Sequence, residues 1–117
     1  MNENINFLYC FDKNYNTQAF SSMISLLNNT SKRISIYVIH NEENFKYQVP
    51  STILNHKNLI FFDSYKFTNY EYDFPNIENV HISVATYFRL FIKNYLPKDE
   101  KYFVFMDPDV ICIQDPI

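Results

Sequence analysis

The sequence predicts an α/β fold with a mostly parallel sheet, Rossmann-like, and helices on both of its faces. The first observation behind this prediction is that short apolar runs alternate with segments of helical periodicity along the 117 residues, and strands that alternate with helices form parallel sheets. The second is a hydrophobic content of 47%, which is ample for the packed core of one domain. The third is that polar clusters follow two of the strands, where ligands bind in such sheets.

The predicted elements follow the order β-α-β-α-β-loop-α-β. Strands are predicted at residues 5–11, 33–39, 59–62 and 101–106, the last being the most apolar. Helices are predicted from residue 17 to 29, over 42–54 with a break at Pro50, and over 82–96 until Pro97 ends the helix. Residues 64–79 are predicted to form a surface loop, and we expect residues 110–113 to begin a further strand.

Composition excludes several classes of protein. The chain has no glycine, so neither a glycine-rich dinucleotide-binding loop nor a P-loop can be present. A net charge of −3 with scattered basic residues argues against nucleic acid as a partner. No apolar run approaches the roughly 18 residues of a transmembrane segment. No secretory signal precedes Cys10 and Cys112, so we expect reduced, buried thiols in a cytoplasmic protein, with peripheral association to the inner membrane face left open.

Two polar clusters lie at predicted strand ends. Asp12, Asn14 and Tyr15 follow the first strand, and Asp107 and Asp109 follow the last. Residues two apart in extended chain point the same way, so both carboxylates of the second cluster could reach one Mn²⁺ or Mg²⁺ ion. From the residues alone two interpretations stay open: a metal site, or a solvated turn. Asp12 and Asn14 are likewise common in plain turns.

Two further candidate residues belong to the predicted helix over 82–96 and its start. Arg89 lies at the edge of the apolar helix face, where a long cationic side chain can also simply cover the core. His81 precedes the helix and, with His40 and His56, shows no metal-ligand spacing. A structural role is therefore the simplest interpretation of all three histidines.

Three segments together give the chain a resemblance to glycosyltransferase family 8. They are residues 5–15 (INFLYCFDKNY), 81–90 (HISVATYFRL) and 102–110 (YFVFMDPDV). The first is similar to the family's opening strand and Asp-x-Asn-Tyr turn, the second to its Ser-x-x-Thr-Tyr-x-Arg-Leu helix, and the third to its Asp-x-Asp strand. The resemblance implies a GT-A-type fold and a retaining hexosyltransferase that takes a UDP-sugar donor and a glycan acceptor.

The resemblance also implies roles for residues of the donor pocket. Asp12 and Asn14 would contact the uracil and the ribose, and Tyr15 would stack on the uracil. Arg89 would brace the donor sugar, while Asp107 would lie near the ribose or the sugar.

By the same resemblance, Asp107 and Asp109 would ligate Mn²⁺ or Mg²⁺, and His81 would line the acceptor side. The family's third metal ligand, a histidine, and a lysine that reaches the diphosphate both belong to a C-terminal half that this sequence does not contain. We therefore expect residues 1–117 to be the N-terminal, nucleotide-sugar-binding half of one domain, truncated after the Asp-x-Asp strand. The catalytic groups would then be missing, and the chain alone would not transfer sugar.

Two other hypotheses are alternatives to this one. A haloacid-dehalogenase-like phosphatase also places Asp-x-Asp after an apolar strand, but that strand normally opens the domain. The other hypothesis is a non-catalytic, truncated remnant that at most binds nucleotide.

Overall fold

The computed structural model describes residues 5–66 and 102–117. In chain order they form β1 (Asn6–Cys10), a first 3-10 helix (Lys13–Tyr15), α1 (Asn16–Asn29), β2 (Ile34–His40), a second 3-10 helix (Phe45–Gln48), α2 (Ser51–Leu54), β3 (Leu59–Lys66) and β4 (Val104–Met106).

The strands of these ranges form one parallel sheet with the order β3-β2-β1-β4. β1 lies between β2 and β4, so that Phe7 is opposite Ile36 on one side and opposite Val104 on the other. The predicted α/β class and Rossmann-like parallel sheet are confirmed. The strand that ends at Met106 lies directly beside the first strand.

The core lies between one face of the sheet and helix α1. Phe7 and Tyr9 in β1, and Phe11 directly after it, point to this face because alternate residues of a strand share a face. Helix α1 contributes buried side chains at helical spacing, namely Ala19, Met23, Leu26 and Leu27. The helix predicted over residues 82–96 lies outside the described residues. Within the described ranges, no helix is long and apolar enough to cross a membrane.

One buried hydrogen bond joins the sheet to this helix. The hydroxyl groups of Tyr9 and Ser22 lie 2.8 Å apart, and both side chains are 0% exposed. Burial raises the pKa of the Tyr9 phenol, so this hydroxyl stays protonated and able to donate. Because a buried hydroxyl without a partner is costly, the pair fixes how α1 sits on β1.

Three predicted boundaries differ from the structure. β3 extends to Lys66. Residues 64–66, which are predicted to begin a loop, continue to pair with β2, and the last pair is Lys66 with His40. β4 is shorter than predicted, since only Val104–Met106 pair with β1. The helix predicted over 42–54 is two short pieces separated at Pro50, and Asn44 takes the left-handed conformation (φ 59°) before the first piece. Asparagine tolerates this conformation in a chain that has no glycine.

The expectation of a strand at residues 110–113 is wrong. The Cys112 N–H donates to Ser25 Oγ at 2.9 Å, and the Cys112 carbonyl accepts from Asn29 Nδ2 at 3.1 Å. Further on, Asp115 Oδ1 accepts the Ser31 N–H at 3.1 Å, and the pKa of the Asp115 carboxyl is lowered mainly by a hydrogen bond with the Ser31 side chain. The backbone of Cys112 therefore bonds to side chains of α1 in place of a neighbouring strand.

We predict that Tyr9→Phe lowers the free energy of unfolding by about 1–2 kcal/mol, because it leaves the buried Ser22 hydroxyl without this partner. The double variant Tyr9→Phe/Ser22→Ala removes both hydroxyls and is expected to lose less than the sum of the two single variants. Urea denaturation followed by circular dichroism measures all three. Additive losses would show that the two hydroxyls do not depend on each other.

Candidate functional site

The polar clusters of the first and last strands lie at the same edge of the sheet. β1 and β4 are parallel neighbours with Tyr9 opposite Met106. Asp107 follows Met106 directly, and Asp12 lies three residues after Tyr9. Because neighbouring strands lie about 4.8 Å apart, the turn that follows each strand is placed beside the other. The carboxyl edge of β1 and β4 is therefore the candidate site.

The first turn is fixed by the carboxylate of Asp12. Its Oδ1 accepts the Asn14 N–H at 2.9 Å, and its backbone carbonyl accepts the Tyr15 N–H at 3.0 Å. Asp12 is thus the N-cap of the first 3-10 helix, an arrangement typical of a short acidic side chain. Asn14 is exposed and Tyr15 is 40% exposed. The turn presents an amide side chain and an aromatic ring to solvent at the edge of the sheet.

The second turn contains the Asp-x-Asp motif. The Val110 N–H donates to the Asp107 carbonyl at 3.2 Å, which closes a β-turn with Pro108 and Asp109 at its centre. The expectation that the two carboxylates project from extended chain is therefore wrong. Proline is favoured at the second position of such a turn because its φ is already fixed. Both aspartates are exposed, so both carboxylates are open to a ligand.

The chemistry of this turn fits a hard divalent cation. Two exposed carboxylates supply anionic oxygen donors, which Mn²⁺ and Mg²⁺ prefer. In the part of the chain that the structure describes, no group of three or more His, Cys, Asp or Glu side chains could hold a metal ion. The turn would thus supply two ligands, and a complete coordination shell would need others.

The remaining predicted site residues are not described. Arg89 and His81 both fall within residues 67–101, outside the described residues. The structure therefore brings Asp12, Asn14 and Tyr15 to one edge with Asp107 and Asp109. The predicted roles of all seven residues stay predictions.

The structure adds one residue at this edge that periodicity did not single out. His40 ends β2, next to β1, and is 0% exposed. Its ring stacks on Phe45 with centroids 4.1 Å apart and meets the edge of Phe11 at 5.1 Å. Its Nδ1 accepts the Glu42 N–H at 3.0 Å, and its Nε2 lies 2.9 Å from Asn16 Oδ1. Every polar atom of this buried ring has a partner.

The tautomer of His40 follows from these contacts. A backbone N–H can only donate, so Nδ1 accepts from Glu42 and the proton resides on Nε2. The Nε2–H then donates to Asn16 Oδ1. Burial lowers the pKa of His40 to about 4, so the ring is neutral near neutral pH. In the sequence, the only signal for a role of His40 is its position at the end of a strand. Its partner Asn16 is 24 residues away, so local periodicity does not reveal the hydrogen bond.

The comparison with protein families identifies the class of protein to which this fold and site belong. The family model described as "Glycosyl transferase family 8" matches residues 6–117. A comparison with curated proteins finds none that matches. The chain belongs to glycosyltransferase family 8. It is a glycosyltransferase by family, and membership implies a nucleotide-sugar donor and a glycan acceptor. The phosphatase hypothesis is thereby set aside.

We predict that acidification removes a stabilising contribution of His40. Its pKa is about 4 in the folded chain and 6.5 in the reference state, so the unfolded chain binds more protons between these values. The contribution is complete above about pH 6.5 and is lost as the pH falls towards 4. Between pH 7 and pH 4.5 the wild type should lose about 1–3 kcal/mol of unfolding free energy more than His40→Gln. Urea denaturation at both pH values measures this, and equal losses would contradict it.

Proposed function

We propose that this chain binds a UDP-sugar together with Mn²⁺ or Mg²⁺ for retaining hexosyl transfer to a glycan acceptor. The observation that carries the proposal is the placement of the Asp12–Tyr15 turn and the Asp107–Asp109 turn at the carboxyl ends of two adjacent parallel strands. In open α/β sheets this is where ligands bind. The first turn would hold the nucleoside, and the second would hold the metal and the diphosphate.

Tyr15 is the proposed stacking platform for uracil. Its ring is 40% exposed, whereas the neighbouring aromatic residues Tyr9 and Phe11 are buried. An exposed ring at the end of a buried strand is available to a flat base. Asp12 keeps its second carboxylate oxygen, Oδ2, without a hydrogen bond to any described residue, and Asn14 exposes an amide. These groups can donate to or accept from the base and the ribose.

Asp107 and Asp109 are the proposed metal ligands. When bound, the cation would act as a Lewis acid that offsets the negative charge of the departing UDP. The two carboxylates would hold it at the turn, and the fixed φ of Pro108 restricts how far they can separate. A cation held here would lie close to the first turn, so one donor molecule can contact both.

Two residues outside the described ranges complete the proposal. Arg89, in the segment similar to the family's Ser-x-x-Thr-Tyr-x-Arg-Leu helix, would brace the donor sugar. His81 would line the acceptor side. Both assignments rest on the family motif.

We predict that Tyr15→Ala weakens UDP binding by about 1–3 kcal/mol, the usual contribution of one aromatic ring stacked on a base. Tyr15→Phe should bind UDP like the wild type, because stacking uses the face of the ring. Tyr102→Ala is a matched control, since Tyr102 is 79% exposed but precedes β4 at the opposite edge of the sheet. Isothermal titration calorimetry with UDP and MnCl₂ measures all four proteins. Equal affinities of Tyr15→Ala and the wild type would rule out stacking at this position.

We also predict that Asp107→Asn and Asp109→Asn each abolish most of the gain in UDP affinity that Mn²⁺ provides. Each substitution removes one anionic ligand while keeping the size of the side chain, and hard cations depend on such ligands. The fold should persist because both side chains are exposed. Asp115→Asn, which removes the same charge near Ser31, is the control and should keep the gain. Calorimetry with and without MnCl₂ decides this, and an unchanged gain in both variants would mean that the motif is only a turn.

A further inference from the structure

His40 and Asn16 link the end of β2 to the start of α1 directly behind the first turn. Asn16 follows Tyr15, and its N–H donates to the Lys13 carbonyl to close the first 3-10 helix. Its side-chain Oδ1 accepts from His40 Nε2 at 2.9 Å, and its Nδ2 donates to Gln48 Oε1 at 3.2 Å. The side chain of one residue thus joins the turn to β2 and to the second 3-10 helix.

The other end of the turn is anchored by the sheet. The Phe11 N–H donates to the Ile39 carbonyl at 3.2 Å, which prolongs the pairing of β1 with β2 up to the residue before Asp12. The start of the turn over residues 12–15 is therefore held by the backbone of β2. Its end is held by the side chain of His40, the last residue of β2.

We propose that His40 is a positioning residue for nucleotide binding, which acts through Asn16 to hold the turn that carries Asp12, Asn14 and Tyr15. This inference rests on the proposed function of that turn. His40 does not need to touch the nucleotide: its ring is buried against Phe11 and Phe45. The Nε2–H donated to Asn16 sets where α1 begins, and with it the direction of the Tyr15 ring.

A second histidine in the same chain provides a matched control. His56 Nδ1 accepts the Asn58 N–H at 3.1 Å, and its Nε2 lies 2.9 Å from Asn28 Oδ1 in the last turn of α1. In both histidines, Nδ1 accepts the N–H of the residue two positions later in the chain, and Nε2 is hydrogen-bonded to an asparagine of α1. The His56–Asn28 pair lies at the end of α1 that is away from the first turn. Substitution of His56 therefore shows how the loss of such a bond affects stability without affecting the first turn.

Two substitutions separate the two bonds of His40. His40→Gln can keep a donor close to the position of Nε2 and so retain the bond to Asn16. His40→Asn can keep an acceptor close to the position of Nδ1 and so retain the bond from Glu42, but it is too short to reach Asn16. Both remove the stacked ring, and His40→Gln also loses the bond from Glu42. A change that appears in His40→Asn but not in His40→Gln is therefore due to the bond to Asn16. Asn16→Ala removes the same bond from the other side and leaves the ring packing in place.

The first measurement needs no ligand. Amide hydrogen exchange by NMR reports on the Asn14 and Tyr15 N–H groups, which bond to Asp12. We expect about five- to tenfold faster exchange at both amides in His40→Asn and Asn16→Ala, as the loss of one hydrogen bond would give. His40→Gln and His56→Asn should exchange at these amides like the wild type. Equal rates in His40→Asn and His40→Gln would overturn the inference.

The second measurement is UDP affinity by calorimetry in the presence of MnCl₂. His40→Asn and Asn16→Ala should each bind about five- to tenfold more weakly, and the double variant should be no weaker than either single one. His40→Gln should restore the affinity, and His56→Asn should keep it even where its melting temperature falls. If the wild type itself does not bind UDP, the proposed function fails, and the exchange rates alone then show whether His40 holds the turn. If UDP binds and all variants bind equally, the positioning role is wrong.

Discussion

The pairing of β1 with strands on both sides is the constraint on which the rest of this structure depends. β1 is buried along its whole length, and its backbone is shared between β2 and β4. β4 comes late in the chain, yet its parallel register with β1 sets the Asp-x-Asp turn beside the turn that follows the first strand. Without this pairing the two sets of polar residues would have no common site.

The absence of glycine shapes how the site is built. In other α/β nucleotide-binding proteins, glycine lets the backbone itself approach a phosphate. In this chain, Asp12 caps the first turn at the carboxyl edge, and the Val110 N–H bonds to the Asp107 carbonyl to close the second turn around Pro108. The proposed function therefore relies on side chains of these turns, together with a cation, to bind a nucleotide.

Helix α1 is held on the sheet by polar contacts at both ends as well as by its apolar face. Histidines bond to an asparagine in its first turn and in its last, and Tyr9 bonds to Ser22 in between. Directional hydrogen bonds of this kind fix the rotation of the helix and its position along its axis, which apolar packing specifies less well. The first of these bonds lies directly behind Tyr15, so the packing of the helix and the geometry of the candidate site are coupled.

The sequence by itself determined the α/β class, the helix predicted from residue 17 to 29, the approximate positions of the four strands and the residues that follow the first and last of them. These features depend on local periodicity and turn chemistry, which neighbouring residues encode. Only the tertiary structure decided that the backbone of Cys112 bonds to Ser25 and Asn29 in place of a strand, and that His40 bonds to Asn16. A short apolar run has the same sequence pattern whether its backbone groups bond to a neighbouring strand or to side chains of a helix. The partner of a buried polar group is set by how distant elements pack, so it cannot be derived from the residues around it.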